Sequence, residues 1–216
     1  MKLILLGSPG AGKGTLSKDL APLYGLNYFA TGDMLREVAN QDSDIGRKIK
    51  ETIFAGNFVS DELIIEMLAS QLDKLPTEAG ILFDGFPRTK EQAEWLDEYF
   101  LNRKAKLDAA ILLVADHDAL IKRIAGRRTC KSCRRTYNVY FMPPPQDETC
   151  ECGELLTKRA DDTPETVTKR LELYELQSKS LIDYYKSKGN LIEVDANGEH
   201  DEVLKRVVDE IERRYS

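Results

Sequence analysis

Nine residues near the N-terminus, Gly7-Ser8-Pro9-Gly10-Ala11-Gly12-Lys13-Gly14-Thr15, have the composition of a phosphate-binding loop. Glycines let backbone N–H groups turn toward phosphate oxygens. The start of a following helix adds partial positive charge, and a lysine reaches the outer phosphates. Gly10, Ala11, Gly12, Lys13, Gly14 and Thr15 are the candidate contacts, with Thr15 able to support the metal-bound phosphate. The general pattern places Ser or Thr directly after the lysine, whereas here Gly14 intervenes. Asp84 ends a short apolar run and precedes Gly85. A carboxylate there can hold Mg²⁺ through its water shell, or it can simply shape a turn.

The second chemical feature is the set of four cysteines. Cys130 and Cys133 form a C-x₂-C pair, and Cys150 and Cys152 follow after a gap of 16 residues. Four thiolates with this leading spacing suit structural tetrahedral zinc. Only Glu151 separates the second pair, which narrows that turn and leaves reduced buried thiols or a labile disulfide as the alternatives. His117 and His200 have no ligand-like spacing, and no Ser/His/Asp or Cys/His constellation emerges.

Short apolar runs and amphipathic stretches alternate to position these groups. Strands are expected at Lys2 to Leu6, Asn27 to Ala30, Ile81 to Phe83, Ala109 to Val114 and Leu191 to Val194. Runs of Ile, Leu and Val without alternation fit strands covered on both faces, and helices between them imply βαβ units and a parallel sheet. Two intervals break the rhythm. Residues 31 to 79 contain helical patterns and no strand, with Ser60 a candidate N-cap for a helix to about Leu72. Roughly 126 to 162, rich in Cys, Pro, Arg and Tyr, reads as a small module. Thr163-Pro164 then restarts the core with an N-cap and an N1 proline, opening a long helix that stops at Gly189.

The 216 residues are enough for a substantial core, and 42% hydrophobic with 31% charged residues is the composition of a soluble globule. A formal net charge of -6 excludes a generally basic nucleic-acid or membrane-surface binder, though not a local positive site. The longest apolar runs, Leu3 to Leu6 and Ala109 to Ala115, are far short of the ~20 residues of a membrane span. A cytoplasmic enzyme without membrane or nucleic-acid partners is expected, acting as a monomer.

Gly7 to Thr15, Thr31-Gly32-Asp33-Met34-Leu35-Arg36 and Asp84-Gly85-Phe86-Pro87-Arg88 together resemble adenylate kinase. Gly126-Arg127-Arg128 and Arg159-Ala160-Asp161-Asp162 match the two ends of that family's lid, here in its long form with a zinc-type cysteine cluster. The family carries Gly-Lys-Gly-Thr, so Gly14 becomes a match. The resemblance implies an α/β P-loop nucleoside monophosphate kinase fold: a five-stranded parallel sheet flanked by helices, a helical AMP-binding insertion and a small zinc-ribbon-like lid. The corresponding divisions are 1-29, 60-125 and 163-216 for the core, 30-59 for the insertion and 126-162 for the lid.

The same resemblance implies reversible transfer from ATP·Mg²⁺ to AMP, giving two ADP. ATP would meet Gly10 to Thr15, Arg123, Arg127, Thr136, Tyr137 and Gly198, with Tyr137 beside the base. AMP would meet Thr31, Arg36, Asn57, Phe58, Val59, Gly85, Phe86, Pro87, Arg88, Gln92, Arg159 and Arg170. Arg159 and Arg170 would close over the transferring group, completing a catalytic set with Lys13, Arg88 and Arg123. Asp84 would hold Mg²⁺ through water, and Cys130, Cys133, Cys150 and Cys152 a structural Zn²⁺. Other readings stay open for single residues: Gln92 as part of a capping box with Thr89, Arg36 as a partner of Asp33 or Glu37, and Arg170 on a solvated face. For the whole chain they are another nucleoside monophosphate kinase, or a P-loop switch with a zinc interaction module.

Overall fold

The computed structural model describes residues 1–57, 59–146 and 148–215. Five strands form the main sheet: β1 (Lys2–Gly7), β2 (Asn27–Ala30), β3 (Ile81–Asp84), β4 (Ala109–Val114) and β8 (Leu191–Asp195). Every pairing in it is parallel, in the order β2-β3-β1-β4-β8. The pleat sends alternate residues to opposite faces, and both faces are covered. Leu3, Leu5, Leu82, Ile111 and Leu113 pack with Leu16 and Leu20 of α1 (Lys13–Leu23) and Val203, Val207 and Ile211 of α8 (His200–Tyr215). Ile4, Leu6, Phe83 and Leu112 face the other way. They pack with α4 (Asp61–Leu72), α5 (Lys90–Asn102) and α7 (Pro164–Ser187) through Leu68, Leu96 and Tyr185. Two-sided burial is why these strands show no hydrophobic alternation.

Between β2 and α4 lie α2 (Thr31–Ala39) and α3 (Asp44–Phe54), as the strandless interval implies. After β4 comes α6 (His117–Ala125), then a small antiparallel sheet of β5 (Arg127–Cys130), β6 (Thr136–Asn138) and β7 (Leu156–Thr157), in the order β6-β5-β7. Among the described residues its buried side chains are Cys130, Tyr137, Cys150 and Leu156, too few to fold on hydrophobic burial alone.

Helix starts follow the sequence with one difference. Thr163 caps α7 through a 3.2 Å bond from the Thr166 N–H, with Pro164 in the first turn. Ser60 occupies the N-cap of α4, but its hydroxyl accepts no amide there. Asp61 and Glu62 in the first turn supply the favourable negative charge instead.

Tyr185 is fully buried, and its hydroxyl has no hydrogen-bond partner among the described residues. An unsatisfied buried hydroxyl costs free energy, so Tyr185→Phe should leave stability unchanged or raise it by up to about 1 kcal/mol. Chemical denaturation measures this, and a clear loss of stability would contradict it.

Candidate active site

The loop between β1 and α1 sits at the carboxyl edge of the sheet, where parallel sheets present their ligands. Its conformation requires glycine at chosen points. Gly10 and Gly12 have φ of +87° and +97°, the left-handed region that other residues rarely adopt. Gly14 is needed for another reason: a Cβ there would lie 3.1 Å from Asp84 Oδ2. The residue that interrupts the general P-loop pattern thus lets the loop approach the strand-end carboxylate. Tyr28 fixes that carboxylate, donating its hydroxyl to Asp84 Oδ2 at 3.0 Å.

Lys13 Nζ donates to the Gly7 and Ser8 carbonyls at 2.6 and 3.0 Å, so the lysine is folded against its own loop. Burial lowers its pKa to about 8; nearby Arg88 and Arg127 act in the same direction, against the attraction of Asp84.

A cleft of about 330 Å³ opens above this loop. Eight lysine and arginine side chains line it: Lys13, Lys18, Arg36, Arg88, Arg123, Arg127, Arg159 and Arg170. Asp33 and Asp84 are the carboxylates in that lining. Burial lowers Arg88 to about 10, with Arg170 adding repulsion. Arg159 is likewise lowered to about 10 by burial and by Arg127 and Arg36. Both remain cationic at neutral pH, and both are held in an environment that an anion would relieve.

Carboxylates behind the lining orient the guanidinium groups. Asp162 receives Arg127 through both oxygens, the Nε bond being 2.7 Å. Asp161 accepts from Arg170 at 2.5 Å and lies 4.0 Å from Arg36. Burial pushes Asp161 up, but Arg170 and Arg36 outweigh it and hold the carboxyl below its usual range. Arg36 also pairs with Asp33 at 2.6 Å, one of the two neighbours the sequence offered; the other, Glu37, pairs with Arg134. Arg170 is turned into the cleft and is not on a solvated face.

The cleft is also lined by Gly10, Ala11, Gly12, Gly14, Thr15, Asn57, Val59, Gly85, Pro87, Gln92, Thr136, Tyr137 and Gly198. Thr31 and Phe86 lie behind its wall. Thr31 donates to the Asp84 and Gly85 carbonyls, and Phe86 packs against Phe83 and Trp95. Phe58 lies outside the described residues. Gln92 is not a simple capping partner. Its Oε1 accepts from the Arg88 N–H at 2.8 Å and its Nε2 donates to Asp61 at 2.6 Å, while Thr89 caps the helix through the Gln92 N–H. Tyr137 sends its hydroxyl to Cys150 Sγ, into the core of the small sheet. The ring over Arg123 belongs to Phe141, 5.2 Å from the guanidinium carbon. Arg123 also donates to the carbonyls of Ala196 and Gly198, at 2.7 and 3.2 Å.

Sequence reasoning passed over Phe141, Tyr174, Asp161 and Asp162 as site residues. Tyr174 had a signal, one helical turn beyond Arg170 on α7; the carboxylates beside Arg159 had only their adjacency.

The cysteine cluster is compact. All four Sγ atoms lie within 4.8 Å of one another, with Cys130 beside Cys152 at 3.5 Å and Cys133 beside Cys150 at 3.4 Å. Zn–S bonds of about 2.3 Å need sulfur separations of about 3.8 Å, so the donor set fits a tetrahedral ion. The one-residue gap at Glu151 does not keep Cys152 out of the cluster.

The family model for adenylate kinase matches residues 5–190. The chain belongs to the adenylate kinase family. Adenylate kinases from Archaeoglobus fulgidus and Streptomyces coelicolor are 42% and 41% identical to it, the alignments covering 96% and 99% of both chains. Another, from Thermodesulfovibrio yellowstonii, is 40% identical over 99% of this chain and 100% of its own. Membership makes this protein a nucleotide-binding transferase and a kinase.

Adenylate kinases use Mg²⁺ with ATP, and Asp84 and Thr15, both in the lining of this cleft, offer oxygen donors of the kind a hydrated ion takes. A bound polyphosphate favours protonated Lys13. Because the free lysine loses its proton as pH rises through about 8, ATP binding at pH about 8.5 should take up a proton. Calorimetry in two buffers of different ionisation enthalpy reads the uptake. It should vanish in Lys13→Met; wild type without uptake contradicts the assignment.

Proposed function

We propose that the chain catalyses reversible, Mg²⁺-dependent phosphoryl transfer from ATP to AMP, giving two ADP. The observation that carries this reading is the cationic cleft itself: eight basic side chains against two carboxylates in the lining, on a chain of net charge -6. Apolar walls extend beyond the charges. Leu35, Ile53, Val59 and Ile64, with Gln92, suit the acceptor base; Phe141 and Arg123, near Gly198, suit the donor base. Two nucleotides entering from these ends would bring their phosphates together over Lys13, Arg88, Arg159 and Arg170. Asp84 would carry Mg²⁺ through water.

The chemistry needs no dedicated base. The AMP phosphate is largely dianionic at pH 7, and the loose transition state spreads charge over the transferred group. Catalysis is then in-line alignment by Arg88 on the acceptor phosphate and Arg123 on the donor, with charge neutralised by the other guanidinium groups. Planar forks grip phosphate oxygens two at a time, which a lysine does not. The segment 126-162 would act as a lid: by closing it expels water, the competing acceptor, and delivers Arg127 and Arg159. Residues 30-59 would act as the AMP-binding insertion on the remaining core. The enzyme is inferred to work as a cytoplasmic monomer on free nucleotides.

Two features support the lid reading. Arg134, at the cysteine turn, pairs with Glu37 of α2, and its carbonyl receives Lys18 of α1. The zinc-ribbon-like sheet has a minimal apolar core, which a structural Zn²⁺ on Cys130, Cys133, Cys150 and Cys152 would consolidate.

A coupled assay with ATP and each monophosphate tests the function, and AMP should be strongly preferred. Arg88→Lys should lower kcat by about 100-fold or more, and unchanged turnover would remove Arg88 from this role. Metal analysis of purified protein should find close to one equivalent of zinc per chain, lost in Cys152→Ser. Less than about a tenth of an equivalent in wild type would defeat the zinc site.

A further inference from the structure

We propose that Asn138 is a positioning residue for the donor nucleotide, setting Phe141 against Arg123 by tying the turn after β6 to the end of α6. The proposal rests on the reading of the Arg123–Phe141 end of the cleft as the ATP side. Asn138 Nδ2 donates to the Arg123 carbonyl at 2.6 Å. Its Oδ1 accepts from the Tyr140 N–H at 2.9 Å and the Phe141 N–H at 3.3 Å. One carboxamide therefore joins the backbone of Arg123 to the backbone of Phe141.

The surrounding contacts make that link tight. The Val139 N–H donates to the Gly126 carbonyl at 3.0 Å, and Asn138 and Met142 exchange backbone bonds of 2.9 and 3.0 Å. A Cβ on Gly126 would lie 2.8 Å from Asn138 Oδ1 and 2.7 Å from the Tyr140 ring, so only glycine lets the turn approach α6 this closely. The Arg123 guanidinium is independently held by the carbonyls of Ala196 and Gly198. With Arg123 anchored, Asn138 decides where the Phe141 ring stands over it, at 5.2 Å. A cation and a ring held together in this way form a stacking platform for a planar base, and its strength depends on their spacing.

Asn138→Asp isolates the link. The carboxylate keeps both acceptor bonds that shape the turn. It loses the donor to Arg123 and sets a negative oxygen against that carbonyl. In the full-length protein, calorimetric Kd for ATP and the KM for ATP should rise about tenfold. Kd for AMP should stay within about twofold, with zinc content and Tm as in wild type. Phe141→Leu should weaken ATP similarly, and adding Asn138→Asp to it should cost less than about a further threefold, because both act through one ring. Unchanged ATP binding in Asn138→Asp would overturn the proposal. So would equal loss of ATP and AMP with a lowered Tm, or full additivity with Phe141→Leu. ATP binding is read whether or not the wild type transfers phosphate to AMP, so this proposal and the functional reading fail separately.

Discussion

Basic side chains crowded into one partly dehydrated cleft repel one another, and the rest of the structure is organised to hold them there. Arg88, Arg159 and Lys13 all have pKa values depressed by burial and by like charges nearby. Counter-charges hold such a cluster in place: Asp161 on Arg170 and Asp162 on Arg127 just behind the lining, and Asp33 on Arg36 within it. Each carboxylate fixes an orientation while leaving the cluster as a whole short of negative charge. A polyphosphate supplies what is missing. In the proposed reaction, cations already oriented by these carboxylates would need little further rearrangement at the moment of transfer.

The backbone serves the same end. A loop that wraps phosphate must bring N–H groups inward, and left-handed glycines at 10 and 12 permit it. Gly14 and Gly85 solve crowding problems, since side chains there would press on Asp84 Oδ2 and on Thr31 Oγ1 respectively. The loop, the strand-end carboxylate and the start of α2 can then share one edge of the sheet. The segment carrying Arg127 and Arg159 is built differently. Its few buried groups are mostly sulfur and phenol, so its stiffness would come from the thiolate cluster and from polar ties such as Asn138 and Arg134.

Much of this was legible in the chain because it depends on neighbours in sequence. Uninterrupted apolar runs gave the buried strands, and the Gly-rich run before α1 gave the phosphate loop. Thr163-Pro164 marked the start of α7, and the four cysteines marked the small sheet. Ser60 shows the limit of that logic. Its place at the helix start was readable, but the hydroxyl makes no cap, and the first turn carries Asp61 and Glu62 as favourable charge. Gln92 shows it too, since its carboxamide is committed to Asp61, 31 residues away.

The amino-acid sequence by itself determined the family, the element order and the residue types that can bind phosphate and metal. The family follows from the motifs at 7–15, 31–36 and 84–88 taken together, and the order of the core elements from local spacing and periodicity. Tertiary structure alone decided which groups meet: Cys130 with Cys152, Asp162 with Arg127, Tyr137 turned inward and Phe141 placed over Arg123. Such pairings depend on how the small sheet packs on itself and against α6. That packing is set by through-space distances and shared burial, which no one-dimensional pattern encodes.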